Sequence, residues 1–281
     1  MILEQYHNTC YKLSRRLTIS YSTSFSWGIK AFAPEYRDPI YAIYGYVRVA
    51  DEIVDTFHEF DKKKLLDKFR QDTYEAIESG ISTNPIIHAF QKVVKDYNID
   101  TKLVDAFLDS MEMDLYESSY QRDNYDTYIY GSAEVVGLMC LYVFVHGDVE
   151  KYKKLEHSAR MLGSAFQKVN FLRDIKSDIA ERGRIYLPDV NTEMMINNEN
   201  KKKLEKEIDE EFHQAFLGIV KLPIGVKLGV YSAYLYYIML FKKIKSLDVN
   251  QLLNRRVRIS NLYKFYLLCK SVIEVKVLKL T

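Results

Sequence analysis

Apolar positions along this 281-residue chain recur at helical spacing. Leu13, Leu17, Tyr21 and Ser24 step by four or three residues, as do Tyr41, Tyr44, Arg48, Asp51 and Asp55, so each set lies on one helix face. No run alternates apolar and polar residues for long enough to require a sheet. A stretch rich in acids and bases from Asp61 to Ser79 reads as a surface helix stopped at Gly80, and Asn84-Pro85 opens another. Further helices are expected over 101–119, 125–146, 150–179, 199–219, 223–246 and 258–278, with breaks at 33–39, 80–85, 120–124, 147–149, 181–198 and 221–223. None of these breaks is a linker rich in Gly, Ser or Pro, and nothing repeats beyond one motif pair. The pattern predicts one all-α domain over residues 1–281.

Composition narrows the function classes. Hydrophobic residues at 48 % and aromatics at 14 % supply a sizeable core and exclude global disorder. Eleven glycines and five prolines are about half of average usage, which excludes collagen-like and turn-rich all-β chains. A net charge of +2 advertises no nucleic-acid surface. The run Lys201-Lys202-Lys203 adjoins Glu205, Glu207 and Asp209, as a solvated helix face does. Cys10, Cys140 and Cys269 form no CxxC pair, the six histidines form no HExxH, and neither GxGxxG nor a P-loop occurs. Residues 1–7 lack a basic segment followed by an apolar one, and with unpaired cysteines this gives a cytoplasmic expectation. Residues 224–241 are apolar but short for a membrane span, and are expected as a buried core helix, with peripheral membrane contact as the alternative.

The candidate chemistry is acidic. Nineteen randomly placed aspartates would give about one Asp-x-x-x-Asp pair, whereas four occur. Asp96/Asp100 straddles an expected helix end and reads as surface; Asp105/Asp109 is open. Asp51/Asp55 follows a strongly apolar helical run. Asp174/Asp178 extends a polar stripe of Gly163, Gln167 and Asn170, spaced so that all five share one helix face. Carboxylates at i and i+4 that lie about 6 Å apart repel by roughly 3 kcal/mol at an effective dielectric near 20. A partly enclosed pair must therefore take up a proton or recruit a cation. Oxygen ligands without Cys or His suit Mg²⁺, with Mn²⁺ as a substitute, shared with substrate phosphates. Arg48 and Arg173 stand beside the two pairs and offer guanidinium forks to phosphate oxygens. Two such stripes facing each other would clamp a metal-diphosphate; the bland alternative is two surface helices carrying salt bridges.

These motifs resemble those of the head-to-head trans-isoprenyl diphosphate synthases, the squalene/phytoene synthase family. The resemblance runs from about Ser22 to Arg256. It rests on Asp51-Glu52-Ile53-Val54-Asp55, on Asn170 to Asp178 followed by Arg182-Gly183-Arg184-Ile185-Tyr186-Leu187-Pro188, on Met111-Glu112-Met113-Asp114-Leu115 and on Tyr128-Ile129-Tyr130-Gly131-Ser132-Ala133. It implies an isoprenoid-synthase helical bundle around a central apolar cavity. Asp51, Asp55, Asn170, Asp174 and Asp178 would hold Mg²⁺ bridged to diphosphate. Ser22, Ser24, Phe25, Arg48, Gln167, Arg173 and Tyr130 would line the substrate site, and Tyr236 and Arg256 would reach the diphosphates from a distal position. Two departures are Glu134, where many members have glycine, and Ile175-Lys176-Ser177 in place of Val-Gly-Glu.

The implied reaction joins two geranylgeranyl diphosphates at their C1 ends through a cyclopropylcarbinyl diphosphate to phytoene, with Tyr130 or released diphosphate taking the final proton. No NADPH is expected for that product. The first alternative is a squalene or dehydrosqualene synthase using two farnesyl diphosphates, and squalene would need a nicotinamide reductant. The second is an inactive helical scaffold or lipid-binding protein. The implied partners are prenyl diphosphates, with peripheral membrane contact for a very apolar product and no nucleic acid.

Overall fold

In the computed structural model, which describes residues 2–190, 192 and 196–278, helices follow one another along the chain. In chain order they are α1 (Ile2–Tyr21), α2 (Thr23–Lys30), α3 (Pro34–Asp55), α4 (Lys62–Ser79), α5 (Pro85–Asp96), α6 (Thr101–Tyr116), α7 (Arg122–Ile129), a π-helical turn (Tyr130–Glu134), α8 (Val135–Phe144), α9 (Val149–Arg182), α10 (Asn198–Ile219), α11 (Ile224–Lys245), α12 (Val249–Asn254), α13 (Asn261–Val272) and a second π-helical turn (Ile273–Val277). Among the described residues the only extended pairing is an isolated bridge between Ser119 and Ile185, so the fold is all-α.

Side-chain caps set several ends where the sequence signals them. The Asp61 side chain accepts the Lys64 N–H at the start of α4, and Gly80 closes that helix at φ +78°. Asn84 caps α5, with Pro85 at its first position. Other boundaries differ from expectation. Ser22 ends the first periodic run and caps α2 by accepting the Phe25 N–H. The expected break at 33–39 is helical: Pro34 starts α3, where its missing N–H is not needed, and Pro39 is carried inside it. The single helix expected over 125–146 is interrupted by the first π-helical turn, and the short α12 was not expected. Residues 191 and 193–195, within the expected 181–198 break, lie outside the described residues, as do 1 and 279–281.

Packing around α3 and α9 positions the site. α1 lies on α3 and α5, and the Tyr46 ring of α3 stacks on Phe90 of α5 at 3.8 Å. α9 and α10 run antiparallel: Ser158 donates to the Gln214 carbonyl, Ser164 to Glu211, and Lys168 to both Glu207 and Glu211. Lys168 is almost fully buried, and Arg122 of α7 completes the network by pairing with Glu207 at 2.7 Å. α11, long and apolar enough to cross a membrane by length and composition, packs against α2, α9, α10 and α13. The segment Arg122–Phe144 passes the same test. Two of the four aspartate pairs belong to the surface layer. Asp96 and Asp100 are exposed, while Asp105 accepts the Tyr74 hydroxyl and Asp109 pairs with Arg70 at 2.6 Å.

The first π-helical turn fits only because Gly131 lacks a side chain. A Cβ there would sit 2.3 Å from the Ala106 carbonyl oxygen and 2.6 Å from Ser110 Cβ, both on α6. We expect Gly131→Ala to destabilise the protein by about 2 kcal/mol, read as a lower urea midpoint with an unchanged m-value.

Candidate active site

A cavity of about 610 Å³ runs between α2, α3, α8, α9, α10 and α11. Part of its wall is apolar, with Ile29, Phe32, Phe144, Leu222 and Val230 among the lining residues. Another part is charged. Asp51 and Asp55 enter from α3, and Gln167, Asn170, Asp174 and Asp178 enter from α9. The helical spacing that aligns each set also turns each toward the other.

Guanidinium groups tie the two acidic ridges together. Arg182 donates to Asp55 at 3.2 Å and to Asp178 at 2.7 Å, bridging α3 and α9. Arg184 donates to the other Asp55 oxygen at 2.6 Å. Asp174 accepts from Arg173 at 2.9 Å and from Arg256 at 3.2 Å, and the Arg256 ion pair closes to 2.6 Å. Asn170 accepts the Tyr237 hydroxyl at 3.1 Å. Asp51 alone among the ridge carboxylates has neither hydrogen bond nor ion pair among the described residues.

Electrostatics follow this geometry. Burial, with the repulsion of Asp55 added, pushes Asp51 up to about 7. Burial likewise pushes Asp178 up to about 7, because Asp174 and Asp55 offset part of what Arg182 contributes. Burial also works against the Asp174 carboxylate, yet Arg173 and Arg256 together hold it below the usual range. Arg48 lines the cavity over the Tyr21 ring at 4.3 Å and pairs with Glu52, and its buried Nε has no hydrogen-bond partner among the described residues.

Beneath the first ridge lies a buried carboxylate, Asp114, which accepts from Tyr128 and Tyr186 at 2.8 Å and from Tyr120 at 3.1 Å. Arg184, also buried, donates to the Asp114 carbonyl at 2.7 Å and lies 3.5 Å from its carboxylate. Burial raises the carboxyl even against these donors. Arg184 can reach both Asp55 and Asp114 because α9 ends at Gly183, φ +66°, which turns the chain back under α3.

Of the residues singled out in the sequence, Ser22, Phe25, Arg48, Asp51, Asp55, Gln167, Asn170, Arg173, Asp174, Asp178 and Arg256 all line this one cavity. Ser24 lies in α2, and its side chain is outside the described residues. Two residues stand elsewhere. Tyr130 is absent from the lining; its ring lies under the Arg160 guanidinium at 5.2 Å, and Tyr128, two residues earlier, faces the cavity instead. Tyr236 lies under Lys264 at 5.4 Å, and Tyr237, about 100° further round α11, takes the cavity position. Glu134 pairs with Arg160 at 2.6 Å and leaves the cavity wall to Ser132 and Ala133. The residues that spacing alone did not single out are Asp114, Tyr128, Arg182, Arg184, Tyr186 and Tyr237. All but Tyr237 sit in motifs quoted above, so the signal was present but their roles were not.

The donor set fits a hard divalent cation, since every candidate ligand is an oxygen and Asp51 is a buried carboxylate, repelled by Asp55, with no ion pair among the described residues. Among the described residues no three His, Cys, Asp or Glu side chains converge as a ready-made cage. An ion held here would therefore complete its shell with water and a ligand's own oxygens.

A model of the family described as squalene/phytoene synthase matches residues 19–263. The chain is 28 % identical to 15-cis-phytoene synthase of Synechocystis over 95 % of its own length and 86 % of that protein's. It is 27 % identical to chloroplastic phytoene synthase 1 of Solanum lycopersicum over 84 % of its own length; there it spans 61 % of the plant protein. Among solved structures, a dehydrosqualene synthase in complex with ligand superposes at TM-score 0.81 with 20 % identity, covering 97 % of this chain and 98 % of the other. The squalene synthase of Alicyclobacillus acidocaldarius superposes at 0.74 with 20 % identity, covering 85 % and 94 % respectively.

Removing Arg184 would leave Asp114 with its tyrosines but no cation. We expect Arg184→Ala to cost about 3 kcal/mol in urea unfolding. Adding Asp114→Asn in the same chain should recover part of that loss, because the uncompensated buried charge goes with it.

Proposed function

The chain belongs to the squalene/phytoene synthase family, and on that footing we propose that it condenses two prenyl diphosphates head to head, with geranylgeranyl diphosphate as substrate and phytoene as product. The observation that carries this reading is the join of two acidic ridges, threaded by arginines, to an apolar cavity. The named relatives being phytoene synthases supports the longer substrate.

In this reading Arg48, Arg173, Arg182 and Arg256 receive the diphosphates, since their forks match phosphate oxygens in pairs. Asp51, Asp55, Asn170, Asp174 and Asp178 would hold Mg²⁺, which when bound supplies charge stabilisation for the departing diphosphate. The ridges position that leaving group at the cavity mouth, so the allylic cation forms next to the apolar wall. Ile29, Phe32, Phe144 and Val230 keep water from it, and the faces of Phe25 and Tyr44 steady its charge. The second substrate's double bond then adds to C1 of the cation, and that carbon loses a proton as the ring closes to the cyclopropylcarbinyl diphosphate; a second ionisation, rearrangement and a second proton loss follow. Released diphosphate takes both protons, because Tyr130 is not among the residues that line the cavity. The hydrocarbon product has its natural solvent in a bilayer, so the reading includes delivery to a membrane.

Incubation with C15 or C20 diphosphates and Mg²⁺, with and without NADPH, tests the reading. We expect phytoene from the C20 substrate without reductant; a C30 hydrocarbon from the C15 substrate as the main product would assign the chain to the squalene or dehydrosqualene branch. Asp51→Ala and Asp174→Ala should lower turnover by roughly a thousandfold while circular dichroism stays helical. Tyr130→Phe should keep near-normal turnover, and chelation should abolish diphosphate binding in calorimetry.

A further inference from the structure

Helix α13 and the π-helical turn after it have two apolar faces. Leu267, Ser271 and Val275 are buried on the inner one. There Ser271 shares a 2.6 Å hydrogen bond with Ser232, and Glu274 accepts one of 2.9 Å from Tyr231, both partners on α11. At 3.6 residues per turn, Leu262, Phe265, Tyr266, Cys269 and Ile273 fall on the opposite side, and all five are exposed. Val277 and Leu278, also exposed, continue the apolar surface. Contiguous apolar surface of this kind marks an interaction site on a folded chain.

Its position follows from the pairings. Tyr231 with Glu274 and Ser232 with Ser271 run antiparallel, so the end of the stripe approaches the start of α11, where Ile224 is 84 % exposed. Two residues before Ile224, Leu222 lines the cavity. Ahead of α13, Arg256 reaches Asp174 among the acidic ridges. The stripe thus runs beside the cavity from its charged part toward an apolar part.

Charge selects the occupant. Between residues 221 and 278 there are eleven Lys and Arg against Asp248 and Glu274 alone, while the rest of the chain carries an excess of acid. Lys270 and Lys276 flank the stripe. A second copy presenting the same face would meet like charge; an anionic lipid surface would meet complementary charge and take up the aromatic and aliphatic side chains. We infer that α13 and its following turn form a membrane-docking face, its outer stripe seated in the interface of an anionic bilayer with the cavity held against it. This deepens the proposed function, since long apolar substrates and product would exchange between cavity and lipid along this side.

The test uses the full chain and vesicles of phosphatidylglycerol with phosphatidylcholine, or phosphatidylcholine alone. Binding is read by flotation and by the emission of an environment-sensitive dye on Cys269. We expect flotation with anionic vesicles only, weakened by salt, and a blue shift of the dye. Phe265→Glu with Ile273→Glu should lower vesicle binding about tenfold while turnover of detergent-dispersed substrate is unchanged. If that pair fails to fold, Lys270→Glu with Lys276→Glu should lower anionic-vesicle binding in its place. The inference is overturned if the wild type stays in solution with both vesicles, if folded variants float as well as the wild type, or if the stripe drives only self-association in sedimentation. Vesicle binding without turnover of any prenyl diphosphate would overturn the proposed function and leave the docking face standing.

Discussion

Carboxylates from two helices confront one another across a cavity, and the fold tolerates this because guanidinium groups are interleaved between them. Arg182 spans both ridges and Arg184 secures the first from below, so the distance between α3 and α9 is fixed by ion pairs as much as by apolar packing. The cost of bringing like charges together is only partly offset, since Asp51 and Asp178 are both pushed up to about 7, chiefly by burial. A surface that repels itself in this way has high affinity for positive charge that arrives with a ligand. That property joins the geometry to the chemistry proposed for it.

The buried layer under the first ridge repeats the same logic with neutral donors. Three tyrosine hydroxyls converge on Asp114, and their rings pack with Phe171 in an aromatic cluster separate from the main core. The tyrosines therefore do two jobs, with rings filling space and hydroxyls satisfying a carboxylate that burial disfavours. Asp114 on α6, Tyr128 on α7 and the tail carrying Arg184 and Tyr186 come from separate parts of the chain and meet at this one group.

Helical periodicity was enough to assign the all-α fold and to place both acidic ridges on single helix faces, because spacing of three and four residues survives any reasonable shift of helix ends. It was not enough to choose between neighbours. Tyr236 and Tyr237 differ by about a quarter-turn of α11, and only the packing of α11 on its partners decides which faces inward. Tyr130 was displaced from the cavity wall at the π-helical turn, whose wider winding alters the register on either side of it and which no residue pattern announces. Asp114 belongs to none of the four Asp-x-x-x-Asp pairs, so it stood out only once its tyrosines were gathered round it. The aspartate pairs show the converse: four looked alike in the sequence, and of these Asp51/Asp55 and Asp174/Asp178 line the cavity while Asp96/Asp100 and Asp105/Asp109 do not.

The ionic network of Lys168, Glu207, Glu211 and Arg122 lies about a quarter-turn round α9 from its acidic ridge. A long cylinder packed only by interchangeable aliphatic groups can roll by several degrees with little penalty. Directional bonds to a nearly dry ammonium resist that roll, so the aim of Asp174 and Asp178 is governed from a place no substrate touches. Sequence drift at Glu207 or Glu211 would therefore detune the clamp without altering a single group that lines it.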